Sequence, residues 1–237
     1  MQLLENYTLF LFDLDGLLVN TEEVHFRAYG EMARKHGLHL DLTFPEYFRM
    51  AQASADAPKN YFYSHFPKLL AEEPNWDVLY REKKQAVLEL LKKEGAKLLP
   101  GAEEFLRMLE KAGKRRVIVT HSGDELTEII RAKNPVLNTV SGWITRHDYS
   151  RPKPFSDSYL KAIEKFGSGG PIIGFEDSER GMEALLGTSA TPVLVNSFDA
   201  ELASRYKARG VMTFRSLEEL LRDTSPVQEK APSPVRS

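Results

Sequence analysis

Residues 9–18, LFLFDLDGLL, decide the fold of this 237-residue chain. The segment begins as an apolar run rich in Leu and Phe, which is typical of a β-strand buried on both faces. The run ends in Asp13 and Asp15, and because side chains alternate along a strand, both carboxylates point the same way at its end. Gly16 then allows a sharp turn. These residues alone would also suit an ordinary turn, but charges at the end of a buried strand are costly without a partner such as Mg²⁺.

The composition indicates a globular protein and excludes several functional classes. Hydrophobic residues make up 42% of the chain, enough for a sizeable core. The 32 Lys and Arg residues nearly balance the 34 Asp and Glu residues, so we expect neither nucleic acid nor a membrane surface as a partner. With 0 Cys, disulfides, thiolate zinc sites and a cysteine nucleophile are excluded. No apolar run approaches the ~20 residues of a membrane span, and no signal peptide is recognisable, so we expect a cytoplasmic protein.

The first strand is followed by a long helical block. Residues 18–96 contain no convincing strand and show helical spacing of apolar residues, for example Val24, Ala28 and Met32. The sequence predicts helices at 21–37, 45–50, 59–66 and 76–93, with Pro58, Pro67 and Pro74 between them.

Strands then alternate with helices, which indicates βαβ units and a parallel sheet. We therefore predict an α/β core formed by residues 1–17 and 97–223, interrupted by the helical block at 18–96. The Pro- and Ser-rich segment 224–237 is predicted to be a disordered tail. Further strands are expected at 116–120, 142–145, 171–175 and 192–195. Helices are expected before residue 113, near 125–132, at 156–166 and from 180. A last strand–helix pair is expected at 211–222.

The second core strand ends in polar residues. Ligands of open α/β sheets bind beyond the carboxyl ends of the strands, which is where Thr120 and His121 follow the run RRVIV. The Thr120 hydroxyl, together with backbone N–H groups entering the next helix, would hold a phosphate. His121 is interpreted as a backbone-contact or rim residue beside that phosphate. Ser122 could cap the following helix.

Two later segments add a cation and two more acids. Lys153 lies between Pro152 and Pro154, which stiffen the backbone around it. A lone Lys is usually a solvated surface charge, but a rigidly held ammonium suits a fixed anion. Glu176 and Asp177 follow the apolar run PIIGF, and both reach one ion only if the strand has ended there. Asp177 could instead cap the next helix, although acids at two neighbouring strand ends favour a metal site.

Four segments, taken in chain order, resemble the four motifs of the haloacid dehalogenase superfamily. They are DLDG, a hydroxyl residue that ends the next core strand, RPKP and GFEDS. The helical block resembles that superfamily's smaller α-helical cap, inserted into a Rossmann-like core. The nearest likeness is to the β-phosphoglucomutase-like branch of phosphatases and mutases, in which FDLDG is followed by Thr or Ser and by His at the spacing of Thr21 and His25. The resemblance extends over residues 8–222.

The resemblance implies roles for the residues at the strand ends. Asp13 would be the nucleophile that becomes an aspartyl-phosphate, and Asp15 the general acid and then the general base. The transferring phosphoryl group would be held by Thr120, His121 and Lys153. A Mg²⁺ cofactor would be bound by Asp13, Asp15, Glu176 and Asp177, with Asp15 contributing its carbonyl.

The sequence departs from the family pattern in two places. Asn20 replaces an Asp that often follows the first motif, which should not affect the chemistry. Segment 47–60, YFRMAQASADAPKN, lacks the Gly usual in the loop that recognises substrate. Arg49, and Lys83 or Lys84, could meet a second phosphate or a carboxylate of the substrate, although each could equally belong to a solvated face. Thr21 and His25 complete the candidate substrate-contacting residues.

Three functions are compatible with these patterns. The first is a Mg²⁺-dependent phosphatase for a small phosphorylated metabolite, with a sugar phosphate as the expected class. The second is a phosphomutase resembling β-phosphoglucomutase, and the third is a non-catalytic binding protein on the same fold. A haloalkanoate dehalogenase is disfavoured because its chemistry needs no metal. We expect a monomer or weak dimer.

Overall fold

The structure, a computed structural model, describes residues 5–54 and 56–224, and a six-stranded sheet lies at its centre. The strand order is β3-β2-β1-β4-β5-β6, and every neighbouring pair is parallel. This arrangement confirms the predicted α/β class. The strands are β1 (Leu9–Phe12), β2 (Arg115–Val119), β3 (Gly142–Ile144), β4 (Ile172–Glu176), β5 (Thr191–Val195) and β6 (Met212–Phe214).

Strand β1 lies in the middle of the sheet because all of its side chains are apolar and fully buried. Its last residue, Phe12, is paired with Ile118 of β2 on one side and with Phe175 of β4 on the other. The chain runs to β2 and β3 in one direction and to β5 and β6 in the other. The carboxyl ends of β1, β2 and β4 therefore lie side by side, at a topological switch point where ligands of such sheets bind.

Aromatic and aliphatic side chains pack on both faces of the sheet. On one face, the rings of Phe12 and Phe175 stack with centroids 5.0 Å apart, and Phe105 meets both edge-on. On the other face, Leu9 and Leu11 join a second buried cluster. The helices outside the segment between β1 and Ala102 are α6 (Ala102–Lys111), α7 (Asp124–Lys133), α8 (Asp157–Phe166), α9 (Glu179–Leu186), α10 (Ala200–Ala208) and α11 (Leu217–Thr224).

Between β1 and α6 the chain forms the predicted helical insertion. Its own small core contains Tyr29, Phe62 and Leu79, whereas Val24 of the first helix and Leu91 of the last belong to the main core cluster. The insertion thus rests on the sheet through its first and last helices. These helices are α1 (Glu22–Lys35), α2 (Phe44–Ala53), α3 (Ala57–His65), α4 (Pro67–Glu72) and α5 (Trp76–Glu94).

A second contact joins the insertion to the core at its other end. Phe198, in the loop after β5, is 63% exposed, yet its ring centroid lies 4.7 Å from that of Phe48 and 6.3 Å from that of Phe44, both in α2. A cavity of about 350 Å³ lies beside this contact, with Leu217 in its wall. Aromatic contacts of this kind contribute roughly 1 kcal/mol beyond the area they bury.

Two helices were not predicted from the sequence. Pro67 begins α4 instead of separating helices, and Pro58 lies in the first turn of α3, because proline at the start of a helix lacks only an N–H that would have no partner there. Helix α10 is also new, with Asp199 accepting a hydrogen bond of 2.8 Å from the Leu202 N–H as its cap. The predicted tail at 224–237 lies outside the described residues except for Thr224, which ends α11.

Across the described residues, every helix is too short or too polar to cross a membrane.

Candidate active site

A buried ion-pair network lies where β1, β2 and β4 end. The ammonium of Lys153 donates hydrogen bonds to the carboxylates of Asp13 and Glu176, the latter at 2.6 Å, and to the Val119 carbonyl at 3.2 Å. Lys153 and Asp13 are each 6% exposed, and Glu176 is fully buried. One cation thus joins the ends of all three strands, and its charge offsets part of the cost of burying the acids.

The same place holds three carboxylates in position to share an ion. Asp13, Glu176 and Asp177 each offer an oxygen, and these oxygens all lie within 4.8 Å of one another. Strand β4 ends at Glu176, which removes the alternation that would have pointed Asp177 away. Burial raises the pKa of Asp13 to about 8. The positive charge of Lys153 opposes this increase, and the negative charge of Glu176 adds to it. Burial, followed by the charge of Asp13, raises the pKa of Asp177 well above its usual range.

These carboxylates fit a divalent cation of the magnesium type. Mg²⁺ prefers oxygen ligands and commonly uses one or two carboxylates together with phosphate oxygens. The neighbouring negative charges of these carboxylates raise one another's pKa, and a bound cation would stabilise such an arrangement.

Two glycines leave the space that the acids of this cluster occupy. A Cβ at Gly16 would lie 2.2 Å from Oδ2 of Asp177, and Gly16 also has a φ of +89°, which side-chain-bearing residues rarely adopt. A Cβ at Gly181 would lie 2.0 Å from the carboxylate of Glu176. The glycine that ends the first motif and the one that follows the fourth are therefore required by close approach.

Glu176 has a further partner that sequence reasoning missed. The hydroxyl of Tyr159, in α8, donates a hydrogen bond of 2.5 Å to Oε1 of Glu176, and the Asp177 N–H donates one of 3.2 Å to Oε2. Tyr159 is fully buried, so it orients the Glu176 carboxylate from within the core. Nothing in the local pattern of α8 marks this tyrosine, because its role depends on how the helix packs under the sheet.

Asp15 is held by three hydroxyl groups. Thr21 donates to Oδ1, and Thr120 and Ser122 both donate to Oδ2, each bond being 2.8 Å long. The predicted phosphate ligand Thr120 and the predicted substrate contact Thr21 therefore both bind Asp15 in this structure. Ser122 does so as well and does not cap α7, whose N-cap is Gly123.

His121 faces the loop that carries Lys153. Its Nε2 accepts a hydrogen bond of 2.8 Å from the backbone N–H of Lys153. The His121 side chain therefore contacts the backbone, as predicted. Because Nε2 already accepts this hydrogen bond, the predicted phosphate contact is not made through that nitrogen.

The strand ends form the floor of a cavity of about 330 Å³, and the helical insertion forms its roof. In the roof, Lys83 is 4% exposed and donates a hydrogen bond of 2.6 Å to Nδ1 of His25. Burial lowers the pKa of Lys83 to about 8, and burial with the charge of Lys83 lowers the pKa of His25 well below its usual range. His25 is therefore neutral. Residues lining the cavity that sequence analysis did not identify include Glu22, Tyr29, Tyr47, Tyr80, Ser178 and Arg180.

The structure places two other candidates away from this cavity. Arg49 lines a separate groove with Glu179 and Phe198 and does not line this cavity. Its contact with the substrate stays a prediction. Lys84 is exposed, with its ammonium 5.1 Å from the Tyr80 ring centroid. Adjacent residues on a helix point about 100° apart, which is why Lys83 enters the cavity and Lys84 does not.

Comparison with known proteins agrees with this geometry. Residues 7–187 match the family model of the haloacid dehalogenase-like hydrolases. Hexitol phosphatase A of Escherichia coli (strain K12) is 30% identical over 189 residues, which cover 79% of this chain and 82% of that protein. Protein CbbY of Rhodobacter capsulatus is 25% identical over 193 residues, covering 79% and 84%.

Solved structures show the same fold. CbbY from Rhodobacter sphaeroides, in complex with phosphate, has a TM-score of 0.68 at 21% identity and covers 90% of this chain and 96% of its own. β-Phosphoglucomutase from Clostridium difficile has a TM-score of 0.64 at 18% identity, covering 90% and 93%. Because the family model matches more than half of this chain, the chain belongs to the haloacid dehalogenase-like hydrolases, in their phosphatase branch.

Proposed function

We propose that this protein is a Mg²⁺-dependent phosphoric monoester hydrolase that acts on a small phosphorylated metabolite, with a sugar phosphate as the expected class. The observation that carries the proposal is the buried pairing of Asp13 with Lys153 beside two more carboxylates, at the floor of a cavity. Phosphoryl transfer mainly requires positioning and charge stabilisation, and this arrangement supplies both.

Asp13 is the proposed nucleophile. Its carboxylate oxygen forms a bond to phosphorus while the bond from phosphorus to the ester oxygen breaks, which leaves an aspartyl-phosphate. Lys153 stabilises negative charge on the phosphoryl oxygens during this step. Because Lys153 also contacts Glu176, its ammonium stays in place when Asp13 turns to the substrate.

Asp15 is the proposed acid and base. It gives its proton to the leaving ester oxygen and then takes a proton from the water that attacks the aspartyl-phosphate, releasing phosphate and restoring Asp13. The hydroxyls of Thr21, Thr120 and Ser122 fix the orientation of the Asp15 carboxylate. They therefore support the proton transfers by holding Asp15 in place.

Asp13, Glu176 and Asp177 would hold the magnesium ion. When bound, the ion supplies positive charge that stabilises the phosphoryl group in the transition state. We expect release of phosphate from a panel of phosphorylated metabolites with Mg²⁺, and a loss of at least about 10³-fold with EDTA, since such ions contribute several kcal/mol. Activity that is equal with and without EDTA would contradict the metal assignment.

The phosphatase is preferred over the phosphomutase on two grounds. The relatives named hexitol phosphatase A and validoxylamine A 7′-phosphate phosphatase support hydrolysis. Of the three cations that could meet a second phosphate, Arg49 and Lys84 do not line the catalytic cavity, which leaves Lys83. The same panel tests the alternative, because interconversion of hexose phosphates on adding a sugar bisphosphate, without phosphate release, would establish a mutase. The absence of both phosphate release and interconversion would favour a non-catalytic binding protein.

Lys83 offers a test of substrate recognition from the roof of the cavity. We expect Lys83→Met to raise KM by about 10- to 100-fold, which corresponds to one charge-assisted hydrogen bond of about 1.5–3 kcal/mol, with a smaller change in kcat. Lys84→Met, one residue away but outside the cavity, is the matched control and should leave KM unchanged.

The same lysine predicts a pH dependence. Its pKa is lowered to about 8, so the ammonium is charged below that pH and loses its charge above it. KM should therefore rise as the pH increases through about 8 in the native protein and stay level in Lys83→Met. A KM that changes equally in both proteins would show that another group titrates.

A further inference from the structure

The loop that carries Lys153 is attached to the end of β2 through His121. Nε2 of His121 accepts the hydrogen bond from the Lys153 backbone N–H at 2.8 Å. Because Pro152 and Pro154 have no N–H, this is the single backbone donor between residues 152 and 154. Lys153 is buried, and a buried N–H without an acceptor costs about 1–3 kcal/mol. His121 therefore satisfies the donor on which the position of this short segment depends.

Further contacts make the attachment rigid. The Tyr149 hydroxyl donates to the Thr120 carbonyl at 3.0 Å, and the His121 ring stacks on the Tyr149 ring with centroids 6.0 Å apart. Arg146 donates from its guanidinium to the Tyr149 carbonyl at 2.9 Å and from its backbone to the Ser122 carbonyl at 3.1 Å. The residues after β2 and the residues before Lys153 are thus joined side by side, and His121 contacts the backbone of Lys153 itself.

The chemistry of this hydrogen bond defines the state of the imidazole. An acceptor at Nε2 needs a free lone pair there, so the ring proton is on Nδ1. Burial and the positive charges of Lys153, Arg180 and Arg146 lower the pKa of His121 to about 3. His121 therefore acts as a neutral acceptor and not as a cation that binds phosphate.

We propose that His121 is a positioning residue, which holds the Lys153 backbone so that the ammonium meets Asp13 and Glu176. This inference rests on the proposed phosphatase function for its kinetic consequence only. A displacement of about 1 Å in a group that positions the reaction can lower the rate by about 10²-fold. In the described part of the chain the His121 side chain bonds to the Lys153 backbone and not to Asp13, Glu176 or Asp177, so its effect on the rate passes through Lys153.

Three variants test the proposal. Gln carries a carbonyl oxygen as many bonds from Cα as Nε2 of His, whereas the oxygen of Asn is one bond nearer and Ala has none. We expect His121→Gln to keep the acceptor, and His121→Asn and His121→Ala to lose it. The direct readout is hydrogen exchange of the Lys153 amide followed by NMR, which should accelerate at least about 10-fold in the Asn and Ala variants and little in the Gln variant.

The kinetic readout separates positioning from substrate contact. We expect kcat to fall about 10- to 100-fold in the Asn and Ala variants with a smaller change in KM, and to recover in the Gln variant. Unchanged exchange of the Lys153 amide in His121→Ala would overturn the proposal, as would a rise in KM at constant kcat, the result expected of a direct phosphate ligand. Because amide exchange needs no substrate, it tests the hydrogen bond even if the native protein lacks phosphatase activity.

Discussion

Replacing Asp13 with Asn is expected to abolish phosphate release, lowering kcat by at least about 10⁴-fold, the scale seen when a catalytic nucleophile is removed. The amide has nearly the shape of the carboxylate but cannot form the aspartyl-phosphate. Phosphate release from the best substrate, measured with Mg²⁺ present, gives the comparison with the native protein.

The fold should survive this substitution. In the ion-free protein, Asp13→Asn would remove one of three neighbouring buried carboxylates while Lys153 keeps Glu176 as its partner, so the melting temperature should be equal or higher. Asp124→Asn, which alters an exposed acid at the start of α7, is a matched control and should retain activity. Normal turnover by Asp13→Asn would refute the assignment of the nucleophile.

Replacing Lys153 with Met should affect both stability and activity. Removing one partner of a buried ion pair costs about 3–5 kcal/mol, because the remaining charge is left without compensation. Here three clustered carboxylates would be left. We also expect kcat to fall at least about 10³-fold, since the phosphoryl group loses its main stabilising cation. Denaturant unfolding in EDTA and a phosphate-release assay measure the two effects.

Magnesium should partly restore the stability of Lys153→Met. A cation that binds only the folded state stabilises it by RT ln(1 + [L]/Kd), and with Lys153 absent it is the remaining means of offsetting the acids. The gain in melting temperature between EDTA and Mg²⁺ should therefore be larger in the variant than in the native protein. Lys161→Met, whose lysine forms an exposed pair with Glu164, is the control and should change little. An equally stable Lys153→Met in EDTA would contradict the network described above.

The parts of the site that could be predicted from sequence are those written in local pattern. Asp13 and Asp177 each follow an apolar strand closely, and parallel strands end at one edge of a sheet, so their convergence follows from order along the chain. Lys153 was marked by the prolines on either side of it. The same rule predicted that the ends of β1, β2 and β4 lie together, which the strand order confirms.

The rest depends on packing between distant elements. Tyr159 reaches Glu176 only because α8 packs beneath the sheet, and no spacing rule distinguishes it from a core tyrosine. The hydroxyls on Asp15 come from two separate segments, and their acceptor depends on the turn after Gly16. Arg49 lies two residues from Tyr47 and from Ala51, which line the cavity. Two residues correspond to about 200° around a helix, so Arg49 lies on the other face of α2.

The two glycines of the acid cluster restrict the mutational paths open to this chain. Position 181 accepts a side chain only where residue 176 is shorter than Glu. Position 16 accepts one only where Asp177 has been replaced and the backbone at residue 16 has changed to a negative φ. Neither glycine can change first without displacing an acid. Each glycine and its acid should therefore be inherited together, so that loss of the glycine in a descendant sequence would indicate that the proposed metal-binding chemistry had already been lost.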